Sequence, residues 1–215
     1  MHKLEHIDQL LNRSHQLEVE LISPSIDLNL YDDSQRLLAV ASLAMLSVEH
    51  SAGVRYLFKT KCIASAFALF RLQYEALVKS LWVFYISKDE DIDSIVGELE
   101  EARITKNKKV FPPISKMLEQ LLSANTPAHS HVLSLVELKD YSWDAMNSFV
   151  HSGLHAVRRN ITGYPTELIY TIIKQSNNLL SISAYLMAII KGSSKATKAI
   201  IKASQDYQDC FQLIS

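Results

Sequence analysis

Two rows of polar residues stand out against a largely apolar chain. Asp140, Asp144, Asn147 and His151 recur at spacings of four, three and four residues. At 100° per residue this puts them within about 60° of one another on a helix. The row combines a potential acid/base group (His151), an amide and two carboxylates. It lacks the Lys and Glu that ordinarily coat a solvated helix face. A second row is formed by Arg71, Glu75 and Lys79 at i, i+4 and i+8. Each row reads in two ways. Arg71–Glu75–Lys79 is either a thin solvated edge held by i,i+4 ion pairs or an Arg–Glu pair lining a cleft, where low dielectric strengthens each charge. The His151 row is either the wet face of an amphipathic helix or an acid/base surface.

The elements that would carry these rows are helices. Leu135, Leu138, Ala145, Met146 and Phe149 take the side opposite the His151 row, so the row points away from its own helix's core contact, toward solvent or a second subunit. This sixth helix opens at Pro127 and runs to about Ser152, where Gly153 breaks or kinks it. The third, about 62–87, carries Arg71 and is otherwise almost wholly apolar or aromatic.

Around them the periodicity predicts a first helix over about 2–22, ended by Ser23-Pro24, because the residue before Pro is pushed out of the helical region. A second begins after the capping cluster Asp32-Asp33-Ser34 and runs to about 60. Its charge-free stretch Leu37–Val48 reads as buried on most sides. Lys88-Asp89-Glu90-Asp91 opens a short acidic helix to about Arg103, Thr105–Val110 a basic loop, and Pro112-Pro113 a short helix to about Ala124. A long helix follows over about 165–191. After Gly192-Ser193-Ser194 a last helix aligns Ala196, Ile200, Ala203, Tyr207, Cys210 and Ile214. The expected fold is all-α, a single bundle of five long helices plus short ones. Residues 1–192 form the bundle, and 193–215 a C-terminal helix packed on it or extending from it. The helices over 62–87 and 165–191 should be the most buried.

Composition excludes other classes. Five Gly and five Pro among 215 residues are too few turn residues for a β-sandwich or barrel. A net charge of −1 excludes bulk electrostatic binding of nucleic acid. The start, Met1 to Asp8, has acidic residues and no apolar core, so it does not read as a signal peptide. Cys62 and Cys210 are the only cysteines and read as reduced cytoplasmic thiols. Cys62–Ile86 and Leu168–Ile190 are apolar, but charged or polar residues near their centres argue against membrane spans. His151 and His155 have a metal-like i,i+4 spacing without an apparent third ligand, so neither a metal nor a cofactor is expected. His129-Ser130-His131 reads as a solvent-facing helix start and His50 as a core or edge residue. Lys191, Lys195, Lys198 and Lys202 align on the last helix, as a solvated face or a phosphate track.

Met146-Asn147-Ser148-Phe149-Val150-His151 resembles the signature of the HEPN superfamily, small all-α bundles common in bacterial toxins and defence systems. That motif is Arg, a polar residue (often Asn), three variable residues and His. Asn147 and His151 match it, and Met146 stands where the family has Arg. Most of residues 30–190 also resemble uncharacterised bacterial helical families. These pair an Arg-x-x-Tyr-Glu segment, here Arg71 to Glu75, with a later Ser-Trp…His-x-Gly segment, here Ser142-Trp143 and His151-Ser152-Gly153.

The HEPN resemblance implies a homodimer whose paired motifs form a composite, metal-independent RNA-cleaving site. It would act in antiviral defence or a toxin–antitoxin system, with an antitoxin or other partner protein. Cleaving RNA through its 2′-hydroxyl needs a base for that hydroxyl, an acid for the leaving oxygen and a cation for the phosphorane. His151 is the candidate for proton transfer. Arg71 would replace the missing motif cation if the third helix packs beside the sixth. Glu75 would be a second base or would orient Arg71, and Asn147 would hold His151 or the phosphate. The alternative is a catalytically degenerate module that binds a protein partner, nucleotide or RNA without cutting it.

Overall fold

The structure, a computed structural model, describes residues 2–97 and 110–212. Among the described residues nine α-helices follow one another: α1 His2–Ile26, α2 Gln35–Lys59, α3 Ile63–Tyr85, α4 Asp89–Val96, α5 Ile114–Ser123, α6 His129–Val150, α7 Leu154–Thr162, α8 Thr166–Ile190 and α9 Ser194–Asp206. A 3-10 turn over Gln208–Cys210 closes the order, and the described residues contain no strand. The chain is all-α. The segment from Glu98 to Arg103 and most of the basic Thr105–Val110 loop, like Ile214, lie outside the described residues.

Local sequence explains where the helices start. The Ser34 hydroxyl accepts from the Leu37 N–H, and Ser193 does the same for Ala196, so each removes an orphan donor of a first turn. Asp89, Glu90 and Asp91 fill the first turn of α4, where the positive end of the helix dipole favours carboxylates. Pro113 and Pro165 sit at the N-caps of α5 and α8.

One expected stop is wrong. α1 passes through Pro24 and ends at Ile26. Proline removes one N–H, but two later residues still complete a turn. The exposed carbonyls of that turn are capped from another helix: Lys191 Nζ donates to Ser25 O at 2.7 Å and Ile26 O at 3.3 Å. Lys191 therefore belongs to the packing, while Lys195, Lys198 and Lys202 stay exposed.

At the centre α3 packs antiparallel to α2 and touches α5, α6 and α8. Phe70, Tyr74, Leu77 and Leu81 of α3 are buried, as are Ile173, Leu179, Leu180 and Leu186 of α8. These two helices carry the core, in line with their nearly charge-free sequences. They are also cross-braced: Gln73 Nε2 donates to Ser176 O at 2.9 Å and Ser176 Oγ returns a bond to Gln73 Oε1 at 2.6 Å. α9 lies against α1 and α8, with Ala196, Ile200 and Ala203 in the common core. The Asn177 amide ties its end in, by donating to Cys210 O.

α2 departs from expectation. Leu38, Met45 and Leu46 remain exposed within the charge-free run, because α1, α3 and α8 cover only part of its circumference. Among the described residues it is the one helix long and apolar enough to cross a membrane, and 44% of its most apolar window is buried in the bundle.

Candidate functional site

The third and sixth helices pack side by side, and of the His151 row Asn147 reaches the Arg71 row across that seam. Arg71 Nε donates to Asn147 Oδ1 at 3.2 Å. Its Nη1 is paired with the Glu75 carboxylate, one turn on, and Lys79 Nζ reaches the other Glu75 oxygen at 3.4 Å. The guanidinium stacks over the Trp143 ring, 3.7 Å from its centroid. Arg71 is thus held from three sides, and its side chain is only 8% exposed. A buried cation needs this many partners, since its desolvation is otherwise prohibitive.

Tyr74 forms the floor. It is fully buried, packs edge-on to Trp143, and its hydroxyl donates to Leu135 O at 2.8 Å. Burial pushes the phenol well above its usual range against the opposing pull of Arg71. It therefore stays a neutral donor that locks α3 to α6.

His151 lies one turn beyond Asn147 at the C-cap of α6, where its N–H bonds to Asn147 O at 3.1 Å. Its position follows from how α6 stops. Ser152 takes a left-handed φ of 53°, and the Gly153 N–H returns to Ser148 O at 2.7 Å. A Cβ on Gly153 would lie 2.8 Å from Ser148 Oγ, so glycine is required for this close approach. The same Ser148 hydroxyl accepts from the N–H groups of His155 and Ala156, capping α7. The chain break thereby presents the His151 ring to solvent, with no side-chain partner among the described residues.

The structure thus gathers Arg71, Glu75 and Asn147 into one hydrogen-bonded set and sets His151 beside it, exposed. Asp140 and Asp144 are exposed too, and Asp140 pairs weakly with Lys139 at 3.4 Å. Asn147 turns toward α3 and not outward with the rest of its row. Met146 is buried in the core. Trp143, the platform under Arg71, was quoted in the sequence only as part of a motif. Its aromatic type at a position four residues before Asn147 was the available signal.

Two histidine expectations change. His131 is half-buried against Tyr185, 5.9 Å between ring centroids, and burial lowers its pKa. His129 is half-buried as well. Among the described residues no three His, Cys, Asp or Glu side chains are grouped to hold a metal ion. A cleft of about 480 Å³ opens on the far flank of α6, between it and α8, lined by Leu135, Leu138, Ala145, Ile172, Gln175 and Leu179.

A family model described as a family of unknown function, DUF6988, matches residues 44–213, which takes in both rows. The chain belongs to that family. No curated protein and no solved structure matches it. Membership in DUF6988 assigns no chemistry, so the functional reading rests on the geometry of the seam.

Proposed function

We propose that this DUF6988 protein is a HEPN-like, metal-independent ribonuclease, a cytoplasmic effector of antiviral defence or a toxin–antitoxin system that works as a homodimer. The observation that supports this reading is the 3.2 Å bond from Arg71 to Asn147, one helical turn before His151. It sets a fixed cation, an amide and a free imidazole along one seam. Arg71 would stabilise the charge that grows on the phosphorane oxygens. Glu75 and Trp143 hold the guanidinium in place, and such preorganisation avoids a reorganisation cost at the moment of reaction. His151, unpartnered and exposed, would move the proton of the 2′-hydroxyl or of the leaving oxygen. Asn147 links the two.

Incubation of the purified protein with single-stranded RNA in EDTA tests this. The wild type should cut it; His151→Ala should not, with its thermal melt unchanged. Intact RNA in both reactions contradicts the cleaving reading.

A second reading is favoured by two observations. Met146, at the position of the HEPN motif's Arg, is buried, and Arg71 is already paired with Glu75. In that reading the seam binds RNA, a nucleotide or a protein partner without cutting. Uncut RNA that still binds in fluorescence anisotropy, and binds less well to Arg71→Lys, selects it.

A further inference from the structure

Among the described helices α7 is the one with no buried residue. Its apolar positions face outward: Leu154 is 63% and Ile161 78% exposed, with Val157 between them, while Ala156 and Arg159 take the inner side. Nine residues are too few to hold a helix in water by propensity alone. Adjoining exposed aliphatic side chains mark a contact surface.

Charge identifies what covers it. α7 carries His155, Arg158 and Arg159 and no acidic residue. The exposed face of the neighbouring α6 has the opposite character, with Glu137, Asp140 and Asp144 beside Leu133 and a Tyr141 that is 97% exposed. No cation among the described residues pairs with Glu137 or Asp144. The chain therefore presents a basic aliphatic face on α7 and an acidic face with its own apolar contacts on α6. A twofold contact requires such self-complementarity, since each patch meets the other patch of the partner.

We infer that a second copy of this chain covers α7, with Leu154, Val157 and Ile161 against Leu133 and Tyr141 of the partner's α6. Arg158 then faces the partner's acidic row, and the reverse holds across the axis. This names the contact surface of the proposed homodimer, but it stands on exposure and charge alone and is read out by mass, without RNA.

Light scattering on the eluted protein at micromolar concentration and low salt tests it. The wild type should show twice the 24.3 kDa chain mass. Leu154→Glu with Ile161→Glu should return it to the single-chain mass with an unchanged melt, since neither side chain packs inside the protomer. Arg158→Glu should weaken association at least about tenfold, and adding Asp144→Arg should restore it. A wild type at 24.3 kDa, a double glutamate variant still of double mass, or failed restoration overturns the inference. A monomer that sediments with phosphatidylserine vesicles would assign the face to lipid instead. A monomer that cuts RNA would defeat only the surface, and a dimer inert toward RNA only the ribonuclease reading.

Discussion

The two ends of the candidate site differ as much as neighbouring residues can. Arg71 is sunk in the α3–α6 seam, bonded to Asn147, ion-paired with Glu75 and stacked on Trp143. His151, one turn past Asn147, has no side-chain partner among the described residues and faces solvent. A residue held from three sides serves as a fixed point of charge and also as a strut of the fold. A side chain held from none adds little to folding and stays open to a ligand. Stability and activity should therefore separate along this short distance.

The largest effect should come from Arg71→Ala. It leaves the partly buried Glu75 with only Lys79 and removes the stacking on Trp143, so it should cost about 3 kcal/mol in chemical denaturation and also lose phosphate binding. Alkaline titration should follow. Burial, aided by the charge of Asp209, pushes the Cys210 thiol up to about 11 from an ordinary 9.0. Because the folded pKa is the higher one, stability is fully present below about pH 9 and falls as the pH rises toward 11. At about 1.4 kcal/mol per unit the loss is on the order of 2 kcal/mol. A thiol reagent at pH 8 should label the exposed Cys62 alone. Arg71→Lys keeps the charge but loses the planar fork and the stack, for about 1 kcal/mol, with weaker phosphate binding. His151→Ala should change stability by less than about 0.5 kcal/mol while abolishing activity. A His151→Ala protein as destabilised as Arg71→Ala would erase the distinction.

Much of this architecture was legible because burial leaves a periodic trace. The charge-poor helices of Arg71 and Ser176 read as the core, Ser34 as part of a capping cluster, and Gly153 as a break. What escaped was set by partners distant in sequence. Pro24 looked like a stop because the ammonium of Lys191, which caps the extra turn, lies on another part of the chain. Leu38, Met45 and Leu46 looked buried because periodicity reports apolarity, not whether a neighbour covers it. α7 itself went unread, because its nine residues lie between the Gly153 break and Pro165 and are too few to show a sustained stripe. At the site, the row spacing put Asn147 with Asp144 and His151. Its turn toward α3 depends on Arg71, and no spacing within α6 could show that.

The cleaving account and the RNA-binding form of the non-cleaving one share a claim, that the seam between α3 and α6 receives a phosphodiester. The most direct measurement is an NMR titration of the protein with a 2′-deoxy dinucleotide, which binds but cannot be cut through a 2′-hydroxyl. It would follow the Arg71 Nε–H, the Asn147 side-chain amide and the His151 ring. All three should shift together along one saturating isotherm, and Arg71→Lys should weaken it. Signals that stay still at the seam while Lys195, Lys198 and Lys202 on α9 move would contradict the account.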